Sequence, residues 1–278
     1  MYIHSSSTML NPNRSTAEYK KLLKEISTQS FRRISKFNAM AIYGALSCLK
    51  NKNYDPSLNI YTASEYGCIQ DMNKVLHQVS KKDEILMPFD FLNVNGNNVG
   101  FLVSQALGSV GNNFYITAED FSFEKAFELA HFDLSIGMMD EALVGAVDES
   151  LEEVKDHDSF IHNLFKKPLN DASIWFHLSN IEQNSLAKIE AVHTFDCYSK
   201  TAEFLKKTKF DHIACNQFAL QNKKKLGLDD SLFIDQALEP FFGTQSALCL
   251  HNLLQQNGSL GLISCDQKGR AFILQLSK

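Results

Sequence analysis

The chain has 278 residues, 44% of them hydrophobic and 21% charged, enough apolar material to bury one large core or two fused halves and too much for a disordered polymer. Lys and Arg total 27 against 32 Asp and Glu, and the net charge of -5 gives no general attraction to nucleic acid or to an anionic membrane surface. No charged N-terminal segment leads into an apolar run with a small-residue cleavage site, and no stretch approaches the roughly 20 apolar residues of a bilayer span. The expectation is a cytoplasmic protein. The six cysteines, Cys48, Cys68, Cys197, Cys215, Cys249 and Cys265, are scattered without a CxxC or zinc-ligand spacing. They read as reduced thiols, and neither a metal nor a cofactor is expected.

Along the chain, a short apolar opening (Met1 to Ile3) gives way to a polar Ser/Asn-rich stretch. Leu22, Leu23 and Ile26 then repeat at helical spacing within 16–27. Small and bulky residues alternate over 39–49 as in a buried helix, and 59–63 is β-rich, closed by the polar turn at 64–67. Helix is predicted over 69–79, a loop through Pro88 and 93–100, helix over 99–107, strand over 113–118, helix over 123–136 and strand over 141–147. The charged, His-containing stretch 155–170 reads as a connection between halves 1–154 and 171–278. Beyond it, 172–178 and 188–193 read as an antiparallel strand pair, 199–206 as helix, 212–215 as strand and 244–255 as helix. The chain ends in a hairpin, 259–265 and 270–276, around the turn Asp266 to Gly269. Such alternation predicts layered α/β packing.

The most informative residues are Gly111 to Ala126, containing Ala118-Glu119-Asp120-Phe121-Ser122-Phe123, and Gly137 to Glu149, containing Ala142-Leu-Val-Gly-Ala-Val-Asp-Glu149. Together they resemble the nucleophile region of β-ketoacyl synthases, in which a strand ends in a tight turn carrying a cysteine, a helix follows, and a second strand reads "ALVGGVDE". The Glu-Asp turn, the pair Arg32-Arg33 before the first buried helix and the stretch Pro88 to Gly100 bring the chain nearer to the small chain-length-factor-like proteins of aryl polyene and flexirubin-type clusters. The resemblance spans roughly 30–150 and is fainter beyond. It implies a thiolase-like α/β fold of two fused layered halves, each with a mixed five-stranded sheet.

In that family a thiol sits at a helix N-terminus, where the helix dipole and backbone N–H groups stabilise thiolate and acyl oxyanion. Alignment on Ser122 and Ala126 puts Asp120 at the nucleophile, and the neighbouring register puts Glu119 there. The first catalytic His corresponds to Asn216, the Lys to Asp235 and the second His to Pro240. The resemblance therefore implies a ketosynthase-like protein without its catalytic set, paired with an active β-ketoacyl synthase as a heterodimer or with itself as a homodimer. Asp120 or Glu119 would then cap the following helix, and the strand 113–118 would lie at the dimer interface. The alternative is an acyl-thioester decarboxylase or hydrolase with Glu119 or Asp120 as general base.

Other residues carry less. His157, His162, His177, His193 and His212 form no HxxxH or HxH pattern and read as surface or satisfied core histidines. Cys215 lies in an apolar run and fills core space, and Cys68 has no nearby base in sequence. Neither a GxSxG elbow nor a GxxxxGK[ST] phosphate loop occurs. Lys223 to Lys225 could meet an acidic acyl carrier protein, although a solvated face is the plainer reading.

Overall fold

Why the strands at the centre of this chain are central is visible in their burial. Glu141–Asp148 is buried from its second residue to its last, and Asn170–Ser179 is buried from Asp171 onward, so both have protein on both faces. The structure, a computed structural model, describes residues 1–82, 85–234 and 240–278. In chain order the elements are β1 (Tyr2–Pro12), α1 (Thr16–Ile26), α2 (Lys36–Cys48), β2 (Asn59–Ala63), α3 (Ile69–Lys82), α4 (Pro88–Asn93), α5 (Asn98–Leu107), β3 (Asn113–Ile116), α6 (Ser122–Ser135) and β4 (Glu141–Asp148). They continue with β5 (Asn170–Ser179), β6 (Ala187–Phe195), α7 (Tyr198–Lys207), β7 (His212–Cys215), α8 (Gln217–Gln221), α9 (Lys223–Leu226), α10 (Ser246–Leu253), β8 (Ser259–Cys265) and β9 (Ala271–Ser277).

All nine strands join one sheet in the order β3-β2-β4-β5-β1-β6-β9-β8-β7. Strands β2, β3 and β4 are mutually parallel, as are β7 and β8, and the remaining pairs are antiparallel. The seam is short: β1 meets β6 only at Tyr2↔Lys188 and Ile3↔Ala187. It divides the sheet into five strands and four. Where a five-stranded second sheet was expected, an isolated bridge between Ile213 and Phe233 lies beyond β7.

The side-chain period of two assigns each strand face to a layer. Ala142, Val144, Ala146, Ile174, Phe176 and Leu178 meet α6 and α10 in one cluster with Leu260, Leu262, Phe272 and Leu274 from β8 and β9. The intervening residues Leu143, Val147 and Trp175 turn the other way, onto α1, α2 and α5. On the far side Ile213, Cys215, Ile263 and Ile273 meet α8 and, at its rim, α7. Helices α6 and α10 thus form a middle layer between the two parts of the sheet, with outer helices beyond each part.

Two expectations require correction. The antiparallel partner expected for β5 is not β6: β5 pairs with β4 and, over its whole length, with β1. Strand β1 lacks an apolar alternation because its hydroxyls are satisfied internally. Ser5 Oγ donates to the Cys48 carbonyl and Ser7 Oγ to the Gly44 carbonyl, each at 2.8 Å, so the polar strand lies under α2 at no cost in orphaned groups. The expected loop through Pro88 also contains a helical turn, α4, with proline in its first turn.

Several boundaries follow local chemistry. Ser15 and Glu18 close a capping box at the start of α1, and Gly108 ends α5 in the left-handed region at φ 69. Lys36 and Asp171 form a fully buried ion pair at 2.7 Å. Asp171 also accepts from the Tyr19 hydroxyl, the Arg14 N–H and the Ser150 N–H, so the charges are hydrogen-bonded as burial demands.

Two predictions concern this core. A Cβ at Gly145 would lie 2.4 Å from the indole of Trp175, which is fully buried. Gly145→Ala is expected to lose about 1–3 kcal/mol in urea denaturation, with an unchanged m-value. Buried Glu124 and Glu149 have carboxyl oxygens without hydrogen-bond partners, and burial pushes their pKa values from 4.5 up to about 7 and about 8. Between 4.5 and those values the folded state binds the additional protons, so these groups make stability fall as pH rises. Chemical denaturation from pH 5 to pH 8 should show this fall flattened in Glu124→Gln and Glu149→Gln; parallel curves would contradict it.

Candidate active-site cleft

The parallel strands β2, β3 and β4 end at one edge of the sheet, the position at which α/β proteins assemble binding sites. Asp148 closes β4 there and is fully buried. One carboxylate oxygen accepts from the Ser64 hydroxyl at 2.7 Å and from the Glu65 and Tyr66 N–H groups at 3.0 and 3.2 Å. The other accepts from the N–H and hydroxyl of Thr244, both at 2.7 Å. Burial raises its pKa, and these hydrogen bonds oppose the shift. The aspartate of Ala142 to Glu149 therefore ties the turn after β2 to the loop preceding α10.

Between β3 and α6 the chain makes a tight turn. Glu119 adopts φ 52, Phe121 N–H donates to the Ala118 carbonyl, and Ser122 Oγ donates to the Glu119 carbonyl at 2.8 Å while accepting from the Ala118 N–H. The helix cap expected from Asp120 or Glu119 is absent: the N-cap of α6 is Phe121, without a side-chain cap. The left-handed residue swings both carboxylates away from the helix N–H groups. Glu119 lies out toward Lys268 at 3.8 Å, with its side chain 75% exposed. Asp120, its side chain 9% exposed, turns to His162, with Oδ1 3.1 Å from Nδ1.

His162, read from sequence as a surface or core histidine, is thereby placed in the cleft from the connection 155–170. Gln217 fixes that connection, accepting from the Leu164 N–H at 3.0 Å and donating to the His162 carbonyl. The ring of Phe218 lies edge-on, 6.2 Å from the imidazole. The only sequence signal was the presence of a histidine in a polar connection, and 42 residues separate it from Asp120.

A cleft of about 400 Å³ is lined by Glu65, Tyr66, Glu119, Asp120, Phe160, His162 and the hairpin turn Asp266, Gln267 and Lys268. Glu65 is held well above the usual carboxylate range by burial and by the neighbouring Asp148, and it stands beside the Asp120–His162 pair.

The other residues implied by the resemblance lie elsewhere or are engaged. Asn216 caps α8: its Oδ1 accepts from the Ala219 and Cys265 N–H groups, and its Nδ2 donates to the Cys265 carbonyl. Every polar atom of that side chain is used in joining β7 to β8. Pro240 accepts from Gln245 Nε2 through its carbonyl, and neither it nor Asn216 lines the cleft. Asp235 lies outside the described residues. None of the six cysteines lines the cleft; five are buried, and burial pushes Cys48, Cys68 and Cys265 up to about 12. In the basic run, Lys223 pairs with Asp230 and Lys225 lies over the Tyr198 ring. Among the described residues no helix is long and apolar enough to cross a membrane.

No protein-family model matches the chain, and no curated protein matches it by sequence. Solved structures do match. The ishigamide ketosynthase/chain length factor superposes with a TM-score of 0.78 at 11% identity, covering 99% of this chain and 98% of that one. A type II PKS acyl-carrier protein in complex with its ketosynthase bound to the hexaketide gives 0.69 at 15% identity over 99% and 98%. The 3-oxoacyl-acyl-carrier-protein synthase III from Aquifex aeolicus gives 0.63 at 14% identity over 100% and 99%. Coverage of nearly the whole length on both sides, with helices layered on either side of and between the two parts of the sheet, gives this chain the thiolase-like fold of the ketosynthases and chain length factors.

Proposed function

We propose that the chain is a non-condensing, chain-length-factor-like subunit that pairs with an active β-ketoacyl synthase in fatty-acid, polyketide or polyene-type synthesis, with acyl carrier protein as a further partner. The observation that carries this reading is the turn 118–121, where the resemblance puts a nucleophilic thiol and the chain has Glu119 and Asp120. A carboxylate at that turn opposes both the oxyanion and the carbanion that condensation develops. No thiol lies within the cleft to replace it.

A partner is supported by the sheet edge. Among the described residues strand β3 pairs only with β2, and an unpaired edge invites addition of another strand. Apolar side chains are exposed on β3 and the elements packed on it: Phe101 on α5 is 60% exposed, Phe114 on β3 36%, Phe132 on α6 55% and Ile136 just past the end of α6 54%. Such a patch on a folded subunit favours an interface.

A second reading is favoured by one specific observation, the Asp120–His162 contact beside Glu65, whose pKa burial raises. An imidazole held by a carboxylate next to an acid of raised pKa is suited to proton transfer on an acyl thioester, as in a decarboxylase or hydrolase.

Two measurements separate the readings. Native mass spectrometry of the chain co-expressed with a ketosynthase from the same gene neighbourhood should give a heterodimer, lost in the double variant Phe101→Glu and Phe132→Glu. The purified chain alone should leave malonyl and acyl thioesters intact. Turnover by the chain alone, abolished by Asp120→Asn, would establish the second reading instead, and a stable homodimer with no heterodimer would reject the paired subunit.

A further inference from the structure

The cleft contains a donor set that the paired-subunit reading leaves unused. Glu65 comes from the turn after β2, Asp120 from the turn after β3 and His162 from the connection preceding β5. One ligand-type atom from each lies within 4.8 Å of the other two. Among the described residues no Lys or Arg forms an ion pair with Glu65 or Asp120; the nearby cations Lys268 and Arg270 are paired with Glu119 and Asp266. Tyr66, also in the lining, shares a hydrogen bond with Glu65. Carboxyl groups thus gather here, with Asp148 behind Glu65 and Lys268 at the rim on Glu119.

The distances suit a metal ion. Ligand atoms about 2.0–2.2 Å from a common cation stand about 3.0–3.5 Å from one another, and Asp120 Oδ1 and His162 Nδ1 are 3.1 Å apart. The other spacings, all within 4.8 Å, are short enough for side-chain torsion of Glu65 or His162 to close on a cation. Ligating histidines characteristically engage their second ring nitrogen with an outer hydrogen-bond partner. The Gln267 side-chain amide lies 2.7 Å from both His162 Nδ1 and Nε2, so on metal binding at Nδ1 it would shift onto Nε2, its oxygen and nitrogen being interchangeable by rotation.

We propose that Glu65, Asp120 and His162 form a binding site for one divalent transition-metal cation of nitrogen and oxygen preference, the class of Zn²⁺ and Mn²⁺. Two carboxylates with one imidazole and no thiolate select this class over soft cations, and the imidazole disfavours Mg²⁺ and Ca²⁺. A bound cation would neutralise the carboxylates and pin the connection 155–170 to the turn preceding α6. The site does not depend on whether the chain pairs with a synthase.

Calorimetric titration of the chelator-stripped full chain with ZnCl₂, followed by MnCl₂ and MgCl₂, tests the proposal. One Zn²⁺ per chain is expected, Mn²⁺ weaker and Mg²⁺ weakest. Glu65→Gln and His162→Ala are each expected to weaken Zn²⁺ binding by about tenfold or more, while thermal melting of the stripped variants reports whether they remain folded. His162→Ala lies in a surface connection, so it keeps the test open if Glu65→Gln does not fold. The absence of a stoichiometric Zn²⁺ site, or equal affinity in folded His162→Ala, would overturn the proposal.

Discussion

The buried carboxylate of Asp148 is the constraint on which the cleft edge of this molecule depends. At the end of the central strand β4 it accepts five hydrogen bonds, three from the turn after β2 and two from Thr244 in the loop preceding α10. Leaving a buried group of this kind with its donors unpaired costs several kcal/mol, about 3–5 when a buried charge loses its partner. The position of Glu65 is fixed by its own N–H on Asp148, and Gly243 is held so close that an added Cβ would lie 2.5 Å from the Glu65 Cβ. One carboxylate thus orders loops from both parts of the sheet, and the acid that faces Asp120 and His162 stands where it does because of it.

Much of the fold was legible because it rests on local pattern. The apolar run Ala142 to Val147, the helical spacing of 123–136 and the turn at Asp266 to Gly269 each dictate their element and match the structure within a residue or two. What patterning missed was set by distant partners. Strand β1 is polar, and its serines are satisfied by distant partners, Ser5 and Ser7 by carbonyls of α2 and Ser6 by His251 of α10; nothing local signals that it separates β5 from β6. The single nine-stranded sheet follows from that insertion, since Tyr2 and Ile3 make the seam.

The candidate site was legible by half. The Glu119–Asp120 turn stood out because a helix start with two carboxylates departs from the thiol that the resemblance supplies. The helix-cap role expected of it fails because the turn, with Glu119 in a left-handed backbone, leaves Glu119 facing Lys268 and Asp120 facing His162. His162 was discounted for want of spacing, and distance in sequence is the reason: the contact spans β4 and the connection after it. Asn216, which the resemblance sets at a catalytic position, is absorbed by three internal hydrogen bonds and serves as a structural joint.

The central claim is that the turn before α6 forms no acyl intermediate. Intact-protein mass spectrometry after incubation of the full chain with acyl- and malonyl-carrier-protein thioesters tests it most directly. An unmodified mass is predicted, while the active synthase in the same mixture gains the acyl group. A stoichiometric acyl adduct on this chain, mapped to the peptide containing Glu119 and Asp120 or to any of its cysteines, would contradict the account.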